Sequence, residues 1–436
     1  MSVELFVGLD VGTTAVKAVA FDGAGRPVAS GQAGTPWTIT PAGAEVAARD
    51  LLSSAGRALA ELSAACPAGP MVALGVTGIA ESGVLVDRSG EPVAPVIAWH
   101  DTRDDTEIAE LRQAFGDGDE FSAVTGLPLR QQWSITKHRW LQRHSPHSRT
   151  AVRRFNVAEW LVRALGGEEA TEQSLASRTG WLDMRRRQWW PEALAWSHTA
   201  ESLMPPIVTA GTPLGTVSSE AGLGRLTGAT LTVAGHDHQV AAIGAGAAGR
   251  GDELDSCGTA EALVRSVAPG LTAAQVIELT GRGITVGWHA AAEHWCLLGG
   301  TQGGLALGRI LHMLGHPRAE LDRAALAEPS APVRVTAPAF ALATISDIGD
   351  DVTPGQVWRA AIETVTDQVA DLHDAMTAAT GPHARFVVTG GWSTSPALME
   401  VKRQRFGAVT RAAVEQPGAL GAAMLAAKAA GTVLDS

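Results

Sequence analysis

A hairpin with a Gly-Thr turn occurs twice in this chain, near its start and just past its middle, and that duplication constrains the fold more than any other feature. The first copy spans residues 5–22, LFVGLDVGTTAVKAVAFD, where two apolar, β-rich runs (5–9 and 16–21) flank Asp10, Val11, Gly12, Thr13 and Thr14. Such a turn suits phosphate. Gly12 lets the backbone come close, Thr13 and Thr14 supply amide and hydroxyl donors, Lys17 adds positive charge, and Asp10 is placed to hold a hydrated Mg²⁺. The second copy spans residues 253–264, ELDSCGTAEALV, and again leads an acidic residue into a Gly-Thr turn, at Gly258 and Thr259. Two phosphate-cradling hairpins at equivalent points of two halves describe a duplicated α/β architecture, with a nucleotide held between two lobes.

The length of 436 residues accommodates two lobes, each large enough to bury its own core. A formal net charge of -11 argues against nucleic acid as the main partner, and the densest positive run, Arg185-Arg186-Arg187, reads as a solvated turn. The three cysteines, Cys66, Cys257 and Cys296, offer neither a disulfide framework nor a CxxC metal site. No apolar run reaches the roughly 18 residues of a membrane span, and the start lacks a charged, apolar and cleavable leader. The expectation is a cytoplasmic protein, neither secreted nor membrane-embedded, and a homodimer is compatible with it.

Along the chain, residues 27–34 supply a third strand, 45–65 a helix and 71–79 a buried strand, the order of an actin-like or ribonuclease H-like lobe. Strands at 84–87 and 93–99 lead into Trp99, His100, Asp101, Thr102 and Arg103, a polar cluster at a strand end, where α/β folds place ligand groups. Helices at 105–115, 135–143 and 158–165 form an insertion. A strand at 230–234 runs into Gly235, His236, Asp237 and His238, and Asp237 is the second carboxylate on which a mechanism can rest. The small-residue run 241–250 is the expected crossing between the lobes. Its formal GxGxxG lacks the βαβ setting of a dinucleotide site. Gly303 opens an apolar helix at 305–314, 357–376 is a long amphipathic helix, and a strand at 385–389 ends in Gly390 and Gly391. Paired glycines there offer bare backbone to a flat or anionic group, for which adenosine is the candidate. His100, His236 and His238 could suggest zinc, but no third nitrogen or sulfur ligand is assignable, and flanking the ligand cleft is their expected role.

From end to end these motifs resemble the FGGY family of carbohydrate kinases. LDVGTTAVKAVAFD is similar to the family's first phosphate motif, DSCGTAEALV to its second, and VVTGGWSTSPALMEVKRQRFG with GALGAAMLAA to its adenosine region. The resemblance implies a two-lobe, actin-like ATPase fold with the active site in the interlobe cleft, ATP with Mg²⁺, and transfer of the γ-phosphoryl to a hydroxyl of a small sugar, polyol or sugar acid. It divides the chain into 1–246, with the sugar site and the first phosphate hairpin, and 247–436, with the second hairpin and the adenosine site. Asp237 matches the family's general base, and Asp10 the acid near Mg²⁺; both are expected at the metal. Glu81 of GVTGIAES and Trp99 match acceptor-binding positions, joined by Asp101, Arg103 and His236. Gly12, Thr13, Thr14, Lys17, Gly258, Thr259, Gly303, Gly390 and Gly391 match the nucleotide side.

Departures from the family pattern bear on the acceptor. Ala80 stands where glycerol kinases carry an arginine, and Gln132 where they carry a tyrosine, which disfavours glycerol. The Met and His of xylulose kinases are missing, with Glu81 and Ser82 in their neighbourhood. The stretch 328–347 is short, and Trp392 replaces a small residue after the paired glycines, so the indole either narrows the adenine pocket or stacks on the base. The competing readings are an actin-like ATP-hydrolysing switch, for which the WHDTR and IAES segments would have no use in the cleft, and a catalytically silent sugar-binding regulator.

Overall fold

The computed structural model describes residues 4–328, 330–337 and 342–434. Strands β1 (Leu5–Val11) and β2 (Ala15–Phe21) form the expected antiparallel hairpin, with Asp10 opposite Lys17, and β3 (Pro27–Gly34) pairs beyond β2. Two further strands, β4 (Met71–Gly78) and β5 (Thr230–His236), join in parallel to give the order β5-β4-β1-β2-β3. Val7, Leu9, Val16 and Leu74 are fully buried, because helices cover this sheet on both faces and continuous apolar runs are stable only there.

The second half repeats the plan. Strands β6 (Asp252–Cys257), β7 (Glu261–Val267), β8 (Thr285–Trp288), β9 (Trp295–Thr301), β10 (Arg385–Thr389) and β11 (Val409–Arg411) form a sheet of order β8-β9-β7-β6-β10-β11. Leaving aside the edge strand β8, the antiparallel trio β9-β7-β6 corresponds to β3-β2-β1, and the parallel β10 and β11 correspond to β4 and β5. The duplicated hairpin of the sequence is therefore the first strand pair in each of two copies of one sheet.

Helices make the parallel crossovers, as strands of one direction require. Ala48–Ala65 links β3 to β4, and Pro354–Thr380 precedes β10. The first of these starts later than the sequence reading at 45, because Glu45 and Val46 lie in a short strand, Gly43–Val46, paired with Ile97 and Val96. The expected strand at 93–99 is reduced to Val96–Ile97, since Pro92 and Pro95 remove two ladder donors beside it.

The last helix, Pro417–Ala429, lies on the first sheet although it comes from the end of the chain. Gly8 and Gly75 are register partners on β1 and β4, and a methyl group on either would overlap a carbonyl of that helix, at Ala419 and Ala422 respectively. The helix in turn reads PGALGAAMLAAKA, so small residues on both sides let backbone meet backbone. It crosses the helix Asp237–Gly244 by the same device, with Gly421 against the carbonyl of Val240 and Gly244 against that of Pro417.

Candidate active site

Because β1, β4 and β5 are parallel, their C-terminal ends share one edge of the sheet, and that edge brings Asp10 and Asp237 together. Asp10 is the penultimate residue of β1, and Asp237 is the first residue of the helix that follows β5. The C-terminal helix closes over Asp10, leaving 2.5 Å between its Oδ2 and a Cβ built on Gly418. Asp10 Oδ1 is buried without a hydrogen-bond partner. Burial, then the neighbouring charge of Asp237, pushes the Asp10 carboxyl up to about 7, against the opposing pull of Lys17 and His238. Burial likewise raises Asp237 to about 7; the His238 N–H donates to its Oδ1 at 2.7 Å and Arg178 pulls it down, while Glu81 pushes it further up. Two carboxylates held near neutrality at one edge, one with a free oxygen, fit a cation and a proton acceptor. His236 sits behind them with Nε2 3.3 Å from Asp237 Oδ1, and burial keeps its imidazole neutral, well below the ordinary value.

The acceptor side is built around Glu81. Its backbone adopts φ 65°, a left-handed conformation that a glutamate takes only when its surroundings enforce it, and its side chain is 4% exposed. Arg178 holds the carboxylate with two nitrogens, at 2.6 and 2.7 Å, and donates its third to Thr285 Oγ1 on β8 at 2.6 Å. The first half of the chain thus binds the second sheet through the residue that fixes Glu81. Gln132 donates to the same carboxylate at 3.2 Å and accepts from Arg130 Nε at 2.9 Å. Lys137 is buried beneath, donating to the carbonyls of Trp99 and Gln132, and burial lowers it to about 8.

Trp99 is tied to the first phosphate turn: its indole N–H donates to Thr13 Oγ1 at 3.0 Å, while Trp37 donates to the Thr13 carbonyl at 2.7 Å. Asp101 and Arg103 are not free for a ligand. Asp101 accepts from Arg103 and from the Ala44 amide, Arg103 also pairs with Glu45 at 2.7 Å, and both side chains are nearly inaccessible. Their internal contacts clamp the strand end that carries Trp99. Gly12 closes the first turn by donating to the Ala15 carbonyl, Thr14 is exposed beside it, and Lys17 reaches Gln416 Oε1 at 3.3 Å just before the C-terminal helix.

The second hairpin differs from the first in one respect. Its acid, Asp255, faces Lys402, which also binds Glu261 at 2.8 Å, and all three are buried. No cation is needed there, whereas Asp10 has no such partner. Gly258 and Thr259 lie at the tip, and three glycine contacts shape the surface around it. A methyl on Gly304 would overlap the Gly258 carbonyl, one on Gly390 that of Cys257, and one on Gly303 the Glu261 carboxylate. Gly390 also has φ 91°, and Gly391 opens the short 3₁₀ turn Gly391–Thr394. Trp392 packs at 6.1 Å from Trp358 with Arg318 over its ring, so its indole is seated in the second lobe.

Sequence reading did not find Arg178, Lys402, Glu261 or Gly418. Lys402 neutralises acids 147 and 141 residues away, and Arg178 one 97 residues away, separations that no local pattern records. A lone arginine inside the small and apolar stretch LASRTGW was the available sign for Arg178.

Residues 5–244 match the N-terminal domain, and 328–430 the C-terminal domain, of the FGGY family of carbohydrate kinases. A glycerol kinase of Aromatoleum aromaticum is 30% identical across 96% of this chain and 89% of its own. A xylulose kinase of Streptomyces coelicolor is 29% identical across 92% and 83% respectively. The crystal structure of a xylulose kinase from Rhodospirillum rubrum superposes with a TM-score of 0.84 at 25% identity, covering 98% of this chain and 91% of that one. Matched in both of its domains and along nearly its whole length, this chain belongs to the FGGY family of carbohydrate kinases.

Proposed function

We propose that this phosphotransferase moves the γ-phosphoryl of ATP to a hydroxyl of a small sugar, polyol or sugar acid, with Asp237 as the general base. The observation that carries the assignment is the Asp10–Asp237 edge. Asp237 is held near neutrality beside Glu81 and Arg178, where an acceptor would sit, and Asp10 offers a buried oxygen with no protein donor. A carboxylate with a raised pKa takes up a hydroxyl proton more readily at neutral pH, which typically supplies about 10²- to 10⁴-fold in rate. Glu81, locked by Arg178 and Gln132, orients the acceptor, and Trp99 offers an apolar edge fixed through Thr13. Asp101 and Arg103 act as positioning residues for Trp99.

On the nucleotide side the residues present fit a phosphate chain and a metal. The turns at Gly12, Thr13 and Thr14 and at Gly258 and Thr259 present backbone and hydroxyl groups to a phosphate chain, and Gly304 and Gly390 let the segments around the second turn pack directly on its backbone. Asp10, with Asp237 nearby, would hold hydrated Mg²⁺, which when bound offsets the charge of the phosphates. Three free cysteines and the metabolic character of the family favour the cytoplasm. No described helix is long and apolar enough to cross a membrane. An ADP-release screen over ketoses, alditols and aldonates, with the phosphorylated product identified by mass, tests the reading. Acceptor-dependent ADP release with a sugar phosphate product supports it. ATP hydrolysis that ignores every acceptor would favour the nucleotide-switch alternative.

A further inference from the structure

We infer that the acceptor is a sugar acid, an aldonate or close relative, whose carboxylate meets Arg130 while its reacting hydroxyl lies at Asp237. The inference rests on the kinase reading above and names the substrate class for that site.

Charge around Glu81 is unbalanced. Two guanidinium groups, Arg178 and Arg130, lie against Trp133, at 5.0 and 5.3 Å from its ring, and Glu81 is the carboxylate that both face. Arg178 has its Nε and both terminal nitrogens engaged, by Glu81 and Thr285. Arg130 donates its Nε to Gln132 Oε1, and among the described residues neither of its terminal nitrogens has an acceptor. The other cations nearby have acids of their own deeper in the fold: Glu159 faces Arg154, and Asp104 and Asp101 face Lys137. Asp237 is pulled on by Arg178 and sits at the phosphoryl end. One positive charge, on Arg130, is left over beside Gln132 and Glu81.

Burial and the like charge of Arg178 both act against Arg130, lowering it to about 10. A half-buried cation that faces a second guanidinium and keeps an open fork of donors gains from a ligand that neutralises it. A neutral sugar hydroxyl offers lone pairs without charge. A carboxylate supplies charge and the bidentate geometry that a guanidinium matches. The order of groups, Asp10 and Asp237, then Glu81 with Arg178, then Gln132 and Arg130, is that of an open-chain polyol acid: phosphorylated at one end, with hydroxyls read in the middle and the carboxylate at the far end.

The test compares tetronic, pentonic and hexonic acids with the alditols of matching configuration, by coupled ADP release with the purified full-length chain, wild type and Arg130→Gln. Wild type is expected to prefer its best acid over the matching alditol by roughly 10²-fold or more in kcat/KM, because a site built for a polar group rejects the analogue lacking it. Arg130→Gln is expected to cut that preference by about 10- to 100-fold, mainly through KM, with Arg130→Lys recovering part of it. Nucleotide affinity and melting temperature are measured in parallel, so that a variant that fails to fold is recognised and Arg130→Lys then carries the comparison. Alditols or ketoses used as well as the acids by wild type, or an acid preference that survives in Arg130→Gln, would overturn the sugar-acid assignment and leave the kinase standing. No acceptor-dependent ADP release from any compound, with ATP still bound, would overturn both.

Discussion

Asp237→Asn should make the protein more stable at neutral and alkaline pH while it removes activity. In the folded state Asp237 holds its proton up to about 7, against 3.8 when exposed. The native state therefore binds more protons than the unfolded chain between about pH 4 and pH 7, and stability falls as pH rises through that window. Three pH units at about 1.4 kcal/mol each set an upper limit of about 4 kcal/mol. The side chain keeps 22% of its exposure, so solvent takes a share, and roughly 1–3 kcal/mol should remain. Asparagine keeps the shape and the oxygen that accepts from the His238 N–H, so packing should be unchanged. Denaturant titrations of wild type and variant at about pH 8 and about pH 5 read the difference, which should be largest at the higher pH and shrink at the lower. A residual pH dependence should persist in the variant, because burial still holds the Asp10 carboxyl above its ordinary value, though less so once the charge of Asp237 is gone. A variant no more stable than wild type at about pH 8, or a difference independent of pH, would refute the claim that this carboxylate is held near neutrality by burial.

Arg178→Met leaves Glu81 buried without its ion-pair partner and should cost about 3–5 kcal/mol in denaturant titration, with Arg178→Lys recovering part; a loss under about 1 kcal/mol would show that the pair does not anchor the site. Gly304→Ala drives a methyl into the Gly258 carbonyl and should displace the second hairpin at a cost of about 1–3 kcal/mol, seen as weaker ATP binding in calorimetry; unchanged affinity would remove that hairpin from the nucleotide site. Asp10→Asn should raise the Mg²⁺ concentration needed for half-maximal turnover by roughly 10-fold or more, whereas an unchanged requirement would place the metal elsewhere.

The features legible in the sequence were those written locally. The hairpins at Asp10 and Asp255 announce themselves by apolar runs around a Gly-Thr turn, and their recurrence gives the duplicated architecture that both sheets display. The same locality explains where reading stopped. Asp10 and Asp255 look equivalent in sequence, and only the fold reveals that Lys402 neutralises one and leaves the other open. Asp101 and Arg103 are two residues apart in a polar cluster and invite a ligand-binding role, but Glu45 and the Ala44 backbone take up their capacity across 57 to 59 residues of chain. The pairing of the strand Gly43–Val46 with Val96–Ile97 brings the two segments together. The glycines at 8 and 75 read as composition until the terminal helix is seen resting on them.

The central claim is that Asp237 takes the acceptor proton while the nucleotide is held by other groups. Single-turnover rapid quench, with saturating ATP and Mg²⁺ and the best acceptor from the screen, measures phosphoryl transfer free of product release. With nucleotide affinity measured alongside, Asp237→Asn should slow transfer by roughly 10²- to 10⁴-fold and leave ATP binding within a few-fold of wild type. Transfer by Asp237→Asn within a few-fold of wild type would contradict the account.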